Sequence, residues 1–142
     1  METEFKGLNL SSRFEGEKNA IWDDGKYPQT MDRHHVVTVE YDGNKIEFDY
    51  YPSIANPSIN TEKELLEAFR CFLSDADSGS MSLDDFANEF YGGTGKVSQI
   101  VATHKACQKS YYDFLELMGI GDSDFYDKYS ELMEALEEEG VA

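Results

Sequence analysis

The hydrophobic pattern of this sequence changes its period at one proline-containing segment, PSIANPS, at residues 52–58. Before this segment, apolar residues alternate with polar ones, which is the pattern of a strand with one buried face. After it, apolar residues recur every three or four positions, as in amphipathic helices. Pro52 and Pro57 interrupt strand ladders and helices alike, so the segment is predicted to be a linker. A chain whose strands precede its helices is typical of the α+β class.

Residues 36–51 carry the clearest strand signal. They contain two strands, VVTVEY and KIEFDYY, around an Asp-Gly turn at residues 42–43. One face of this hairpin is predicted to be buried and the other to carry carboxylates. The apolar face comprises Val37, Val39, Tyr41, Ile46, Phe48 and Tyr50. Residues 1–35 are harder to interpret: residues 12–22 are predicted to form a weak strand or an irregular segment, with a turn at Asp24-Gly25.

Four helices are predicted after the linker. Thr61 and Glu64 have the spacing of a capping box, which opens the first helix. Ser82 is expected to cap a short second helix that ends at Gly92-Gly93. A third helix is predicted over about residues 95–118, and a fourth opens at Ser123. The residues predicted to face the core are Leu65, Leu66, Phe69, Phe72 and Leu73, then Phe86 and Phe90, then Val97, Ile100, Val101, His104, Cys107, Tyr111, Phe114, Leu115 and Met118, and finally Phe125, Tyr129, Leu132, Met133 and Leu136.

These elements predict a single domain over residues 1–142, with a β-rich part at 1–58 and a helical part at 59–142. The expected architecture is α+β, with a β-hairpin or small antiparallel sheet packed against a bundle of about four helices. The sequence has no apolar run near the ~20 residues of a membrane helix and no signal-peptide pattern. Cys71 and Cys107 fall on apolar helical positions and are predicted to be buried free thiols. We therefore expect a cytoplasmic protein with no membrane partner.

The chain is strongly acidic, with 29 Asp and Glu against 12 Lys and Arg and a net charge of −17. The charge is unevenly distributed, because residues 113–142 contain ten acids and one lysine whereas residues 90–112 contain three lysines and no acid. Such a field repels nucleic acids and membrane surfaces and attracts basic protein surfaces. The expected partner is therefore a basic protein surface, and direct binding of nucleic acid is not expected.

The segment at residues 75–85 resembles part of an EF-hand calcium loop. Asp75, Asp77 and Asp85 would supply ligands, and Gly79 would supply the tight turn. The segment is one residue short, ends in Asp rather than Glu, and has no second loop with which to pair. A capped helix–loop–helix is therefore the favoured interpretation and a calcium site the alternative, and no metal or cofactor is expected.

Other candidate sites have ordinary structural explanations. His34 and His35 are adjacent on a strand, so their side chains point to opposite faces, and they are interpreted as surface residues. His104 lies on the apolar stripe of the third helix and is predicted to be a hydrogen-bonded core histidine. The segment GGTGK at 92–96 lacks the spacing of a phosphate-binding loop and is predicted to connect two helices. The sequence presents no nucleophile motif, so an enzyme is not expected.

Residues 36–119 resemble a group of small accessory proteins encoded by bacteriophages and other mobile elements. The residues that carry the resemblance are Val37, Thr38, Val39, Tyr41, Gly43, Lys45, Phe48 and Asp49, then Ser74-Asp75-Ala76, Asp85-Phe86, Glu89-Phe90 and Lys105-Ala106-Cys107-Gln108-Lys109. This chain departs from the group at Tyr91-Gly92-Gly93 and in the acidic tail after Gly119. The group supplies no catalytic residues. The resemblance implies a phage-type protein that acts in the host bacterial cytoplasm, where such acidic proteins often inhibit host defence.

We therefore expect an inhibitor of a host defence nuclease system, similar to anti-CRISPR proteins and anti-restriction DNA mimics. Carboxylates placed where phosphates would sit can occupy the basic groove of a nucleic-acid-binding effector. The candidate residues are Glu40, Asp42, Glu47 and Asp49 on the hairpin face, or Asp113, Glu116, Asp122, Asp124, Asp127, Glu131 and Glu134 on the helices. The alternatives are a calcium-binding or constitutive adaptor and a phage structural or regulatory component, and a homodimer is compatible with each.

Overall fold

The computed structural model describes residues 1–20, 29–51 and 59–141. Within these ranges the strands are β1 (Glu2–Phe5), β2 (Leu8–Ala20), β3 (Gln29–Tyr41) and β4 (Asn44–Tyr50). The helices that follow are α1 (Glu62–Gly79), α2 (Leu83–Tyr91), α3 (Val97–Met118) and α4 (Asp122–Glu138). The strands form one antiparallel sheet in the order β1-β2-β3-β4. The predicted α+β class is therefore confirmed.

The predicted hairpin is confirmed as β3 and β4. Asp42 and Gly43 have φ angles of 48° and 85°, so the two-residue turn uses the left-handed region, which matches the right-handed twist of paired strands. Val37 pairs with Phe48, and Val39 pairs with Ile46. Both valines are completely buried, as the period-two pattern predicts for the face that the helices cover.

The N-terminal part is more regular than the sequence predicts. β2 is a strand from Leu8 to Ala20 rather than a weak segment from residue 12, and β1 pairs with it at the edge of the sheet. Leu8 and Leu10 are buried on the helix-covered face. The alternating pattern here comprises only Leu8 and Leu10 before Ser12 interrupts it, so sequence periodicity gave too little signal to identify the strand. The predicted turn at Asp24-Gly25 lies outside the described residues.

The helices cover one face of the sheet, and α1 contacts both edge strands, β1 and β4. Leu65, Phe69 and Leu73 are completely buried, as predicted. The Phe69 ring meets the Phe5 ring edge to face at 6.5 Å, and the Phe72 ring stacks on Phe48 at 4.6 Å. Burial of each such side chain contributes about 1.5–3 kcal/mol, so these contacts fix α1 on the sheet.

Helices α1 and α3 touch directly at Gly79. A Cβ atom at this position would lie 2.1 Å from the carbonyl oxygen of Cys107, which is far closer than van der Waals contact. Only glycine therefore permits the two backbones to approach this closely. The residue that resembles an EF-hand turn glycine in the sequence is instead the last residue of α1 and a helix–helix contact.

The predicted helix ends are largely confirmed. The Thr61 hydroxyl accepts a hydrogen bond from the Glu64 amide at 3.1 Å, and the Ser82 hydroxyl accepts one from the Asp85 amide at 3.2 Å. Gly92 and Gly119 end α2 and α3 in the left-handed conformation. The fourth helix begins at Asp122 with Gly121 as its N-cap, rather than at Ser123.

Several predicted core positions are exposed. Val97, Val101 and Phe90 are 75%, 39% and 53% exposed. At the N-terminal end of α3, Ile100 and His104 are buried, so Val97 and Val101 lie on a side of the helix that no described element covers. Cys71 is also exposed rather than buried, and Cys107 is half-buried. No described helix is long and apolar enough to cross a membrane.

Candidate functional site

The segment that resembles an EF-hand has no ion-wrapping loop. Asp75 and Asp77 belong to the last turns of α1, and Asp85 belongs to the first turn of α2. Only residues 80–82 separate the two helices, whereas an EF-hand winds about twelve residues around its ion. The helix–loop–helix interpretation is therefore confirmed. The described residues also contain no group of three or more His, Cys, Asp or Glu that could hold a metal ion.

His104 ties this short connection to α3. Its Nε2 atom lies 2.8 Å from the carbonyl oxygen of Met81, and its ring lies 5.0 Å from the Phe86 ring. Because a carbonyl oxygen can only accept, Nε2 must carry the proton and donate it. The prediction of a hydrogen-bonded core histidine is confirmed.

His35 is buried, so its interpretation as a surface residue is wrong. It lies two residues before Val37 on β3 and therefore on the same, helix-covered face of the sheet. Its ring meets the Phe14 ring at 5.5 Å. At this position β3 lies between two strands, with His35 opposite Phe14 of β2 on one side and Tyr50 of β4 on the other, and these neighbours help to bury it. The structure does not describe the side chain of His34.

The hairpin carboxylates do not form one continuous acidic surface. Glu40 lies directly opposite Lys45 across the two strands. Glu47 accepts from Arg13 Nη1 at 3.4 Å and from the Thr38 hydroxyl at 3.4 Å. Asp42 occupies the turn rather than the face. The basic residues interleaved on this face reduce its net charge.

Two of the hairpin acids lie instead beside α3. Glu47 and Asp49 line a cavity of about 540 Å³ between β4 and α3, together with Asp75 of α1 and Asp113 of α3. Lys109 also lines this cavity and donates to Asp113 at 2.7 Å. The apolar lining is Val36, Phe48 and Ala106.

A second cavity of about 350 Å³ continues the first toward α2. The two cavities share Asp75, Thr103 and Cys107, and the second is lined by Phe86, Phe90 and Tyr91. We call the two together the β4–α2 groove. The sequence did not predict that these residues lie close together, because periodicity indicates which side of an element is buried but not which elements meet.

Two groups in the β4–α2 groove have raised pKa values. Desolvation raises the pKa of Asp75 above its usual value. Burial, followed by the neighbouring Asp75 carboxylate, raises the pKa of Cys107 to about 11. At neutral pH Cys107 is therefore a protonated thiol, and the thiolate that nucleophilic chemistry needs is scarce.

Helix α4 carries a row of carboxylates along its solvent-facing side. The row comprises Asp124, Asp127, Glu131, Glu134 and Glu138, which recur every three or four residues and are all exposed. At 1.5 Å per residue the row extends over about 21 Å. The opposite side of α4 is buried through Phe125, Leu132 and Leu136. We call these five residues the α4 carboxylate row.

The remaining helical candidates have other contacts. Asp113 is bound by Lys109 in the groove, and Asp122 accepts from the Tyr111 hydroxyl at 2.7 Å. Burial, together with this bond to Asp122, raises the pKa of Tyr111 to about 12. Glu116 is exposed on α3 and is therefore not a member of the α4 carboxylate row.

The α4 carboxylate row has one basic neighbour on its own helix. Lys128 donates to Glu131 at 3.4 Å, and its Nζ lies 5.8 Å from the centre of the Tyr41 ring. Lys128 therefore lies near both the sheet and the row. Its ion pair compensates the charge of one member of the row, Glu131.

Comparison of the chain with protein-family models, with curated proteins and with solved structures gave no match. The described residues define the molecule as an acidic α+β protein whose antiparallel sheet is covered on one face by helices. Its distinguishing surfaces are the α4 carboxylate row and the β4–α2 groove.

Proposed function

We propose that this protein inhibits a nuclease system of host defence by binding a basic, nucleic-acid-binding surface of the effector. The proposal places it with phage-encoded inhibitors of the anti-CRISPR or anti-restriction type, acting in the bacterial cytoplasm and without catalysis of its own. The observation that carries the proposal is the α4 carboxylate row, supported by the net charge of −17.

The row presents a line of negative charges, as a nucleic acid backbone does. Successive carboxylates follow one another at about 4.5 or 6 Å along the helix axis. They are more widely spaced along the axis than DNA phosphates, which follow one another at about 3.4 Å on each strand, so the likeness lies in the linear charge and not in a matched repeat. Arg and Lys side chains that bind phosphate also bind carboxylate, and Arg can do so with two parallel hydrogen bonds. An effector groove built for a nucleic acid backbone therefore offers partners to several members of the row at once.

Of the two acidic faces, the α4 carboxylate row suits this role better than the hairpin. The hairpin face interleaves its acids with Arg13 and Lys45. In the α4 helix, seven acids accompany a single lysine. The potential outside α4 is therefore more uniformly negative, which favours steering toward a basic partner.

The proposal is tested by phage plaque counts on bacterial strains that carry CRISPR or restriction systems. Expression of the protein is expected to raise plaque counts on at least one such strain. A row variant combines Asp127→Asn, Glu131→Gln, Glu134→Gln and Glu138→Gln and is expected to lose this effect. The matched control removes four exposed acids elsewhere, with Glu2→Gln, Glu4→Gln, Glu40→Gln and Glu116→Gln, and should retain it.

Two outcomes would contradict the proposal. If plaque counts do not rise on any strain of the panel, the protein is not an inhibitor of these systems. If the row variant and the control inhibit equally well, the α4 carboxylate row is not the binding surface. Co-purification with virions in the first case would support the phage structural component instead.

A further inference from the structure

The β4–α2 groove is an open depression large enough to hold part of a peptide chain. Its two cavities, of about 540 and 350 Å³, each lie within the range of about 300–1,000 Å³ that is usual for ligand sites. It passes from β3 and β4 across α1 and α3 to α2, so its walls come from five different elements. From Thr103 to Asp113, α3 extends for about 15 Å along it.

The charges along the groove favour a cationic occupant. Its lining contains the carboxylates Glu47, Asp49, Asp75 and Asp113 and the ammonium group of Lys109. Arg13, which does not line the groove, binds Glu47 at 3.4 Å. Lys109 already pairs with Asp113 at 2.7 Å. Among the described residues, no cation forms an ion pair with Asp75, and desolvation raises the pKa of its carboxyl group. A guanidinium or ammonium group placed there would give the exposed Asp75 carboxylate a charged partner.

The apolar surfaces in the groove favour side chains that combine a charge with an apolar stem. Half-buried Phe48 lies in the half of the groove nearer β4, and Phe90 lies in the half nearer α2, above the buried Phe86. The Phe90 side chain is 53% exposed, although it is large and apolar. Arg and Lys can lay their methylene groups on such rings while the charged heads reach carboxylates.

We infer that the β4–α2 groove binds an extended basic segment of a partner protein, in which arginine or lysine alternates with apolar residues. A groove of this length takes about five residues at roughly 3.3 Å per residue. The inference rests on the proposed function, because the segment would belong to the effector whose basic surface meets the α4 carboxylate row. It adds a second, concave contact with its own sequence preference, which a row of exposed charges does not supply.

The test uses the peptide acetyl-Arg-Leu-Arg-Leu-Arg-amide as the probe and follows the backbone amide signals of the full chain by NMR. The titration is done in about 150 mM salt, where interactions beyond ~8 Å are screened. Under this condition the signal shifts should still saturate as peptide is added. The signals that shift should belong to β4, to α2 and to the part of α3 between Thr103 and Asp113. The acidic peptide acetyl-Glu-Leu-Glu-Leu-Glu-amide should produce no saturable shift.

Two double variants of equal charge separate the groove from the molecule's general field. Asp49→Asn with Asp75→Asn removes two groove carboxylates, and affinity should fall by about tenfold or more, as for the loss of charge-assisted hydrogen bonds. Asp127→Asn with Glu131→Gln removes two carboxylates of the α4 row, and affinity should fall by no more than about twofold.

The inference is overturned by shifts that map to α4, by equal losses in the two double variants, or by the absence of saturable binding. Spermine serves as a non-peptide polycation, and if it produces the same shifts with the same affinity, the groove selects small polycations rather than a peptide segment. The plaque counts separate this inference from the proposed function. Peptide binding in the groove without any inhibition refutes the function alone, whereas inhibition with no groove binding refutes the inference alone.

Discussion

Gly79 decides how closely the two longest helices of the protein can pack. Gly79→Ala would place a Cβ atom 2.1 Å from the Cys107 carbonyl oxygen. The lower flexibility of alanine in the unfolded chain would stabilise the protein by about 0.5–1 kcal/mol. Forcing the backbones apart should cost about 1–3 kcal/mol or more and therefore prevail. Urea denaturation should show a net loss of stability.

The neighbouring substitution Ser80→Ala is the control, because Ser80 is exposed at the end of α1 and loses only the hydrogen bond that its hydroxyl donates to the Asp77 carbonyl oxygen. Its effect on the free energy of unfolding should stay within about 0.5 kcal/mol. Equal effects of the two substitutions would show that the close approach at Gly79 is not what limits packing.

The Cys107 thiol should react slowly with iodoacetamide in the folded protein. Burial and the Asp75 carboxylate hold its pKa at about 11, so thiolate is scarce at neutral pH. Asp75→Asn removes the like charge and should lower this pKa, which accelerates alkylation at a fixed pH. Mass spectrometry after timed alkylation over a series of pH values gives the midpoint. A midpoint near that of an unfolded cysteine would contradict the prediction.

Asp75 should also make stability depend on pH in a specific direction. Because desolvation raises its folded-state pKa above the unfolded value, the charged form is disfavoured in the native state. This destabilisation is present above the folded-state pKa and disappears as the pH falls below both values. Asp75→Asn should therefore raise the melting temperature near neutral pH and leave it unchanged in acid. A variant that is less stable at neutral pH would mean that the carboxylate has a stabilising partner.

At the scale of the elements, α4 lacks the side-chain cap that α1 and α2 have. Its N-cap is Gly121, with φ −98° and ψ 177°, and a Cβ atom there would meet nothing within 4 Å. Gly121→Ser places a hydroxyl where it can accept from the first amide groups of the helix. We expect a gain in unfolding free energy of a few tenths of a kcal/mol, since glycine is itself a tolerated N-cap.

The converse substitution, Ser82→Ala, removes the existing cap of α2 and should cost about 0.5–2 kcal/mol. Thermal unfolding of both variants, followed by circular dichroism, measures the two effects. Changes of the same sign would show that capping does not govern these helix ends.

The elements that could be predicted from sequence are those specified by neighbouring residues. The Asp42-Gly43 turn and the Thr61 and Ser82 caps each depend on contacts within four positions. The first turns of α3 show where prediction from local sequence fails. Val97 and Val101 continue the apolar period, yet they are exposed, because burial requires a second element at that place.

At the scale of the whole molecule, salt should affect folding and binding in opposite directions. A net charge of −17 makes the compact state repel itself, and added NaCl screens that repulsion. The melting temperature should therefore rise by a few degrees between low and high salt. Such a shift corresponds to a gain of about 1 kcal/mol in the free energy of unfolding. Association with a basic effector surface should weaken over the same range.

Differential scanning calorimetry and a binding titration at matched salt concentrations measure these two responses. The variant that neutralises four members of the α4 carboxylate row should show a smaller salt effect on melting. A melting temperature that falls with salt would mean that attractive ion pairs, rather than self-repulsion, dominate the charge balance.

The sequence by itself determined the α+β class, the β3–β4 hairpin, the order of four helices and an acidic surface. Each of these follows from local periodicity, capping residues or composition. Only the tertiary structure decided that the edge strand β1 pairs with β2, that His35 is buried, and that Gly79 meets Cys107.

The two candidate surfaces differ in the same way. The α4 carboxylate row lies on one helix, so its spacing could be read from the sequence once the helix was identified. The β4–α2 groove brings Asp49, Asp75 and Asp113 together from β4, α1 and α3. Sequence periodicity fixes the direction of a side chain relative to its own element, whereas the packing of one element on another decides which side chains meet.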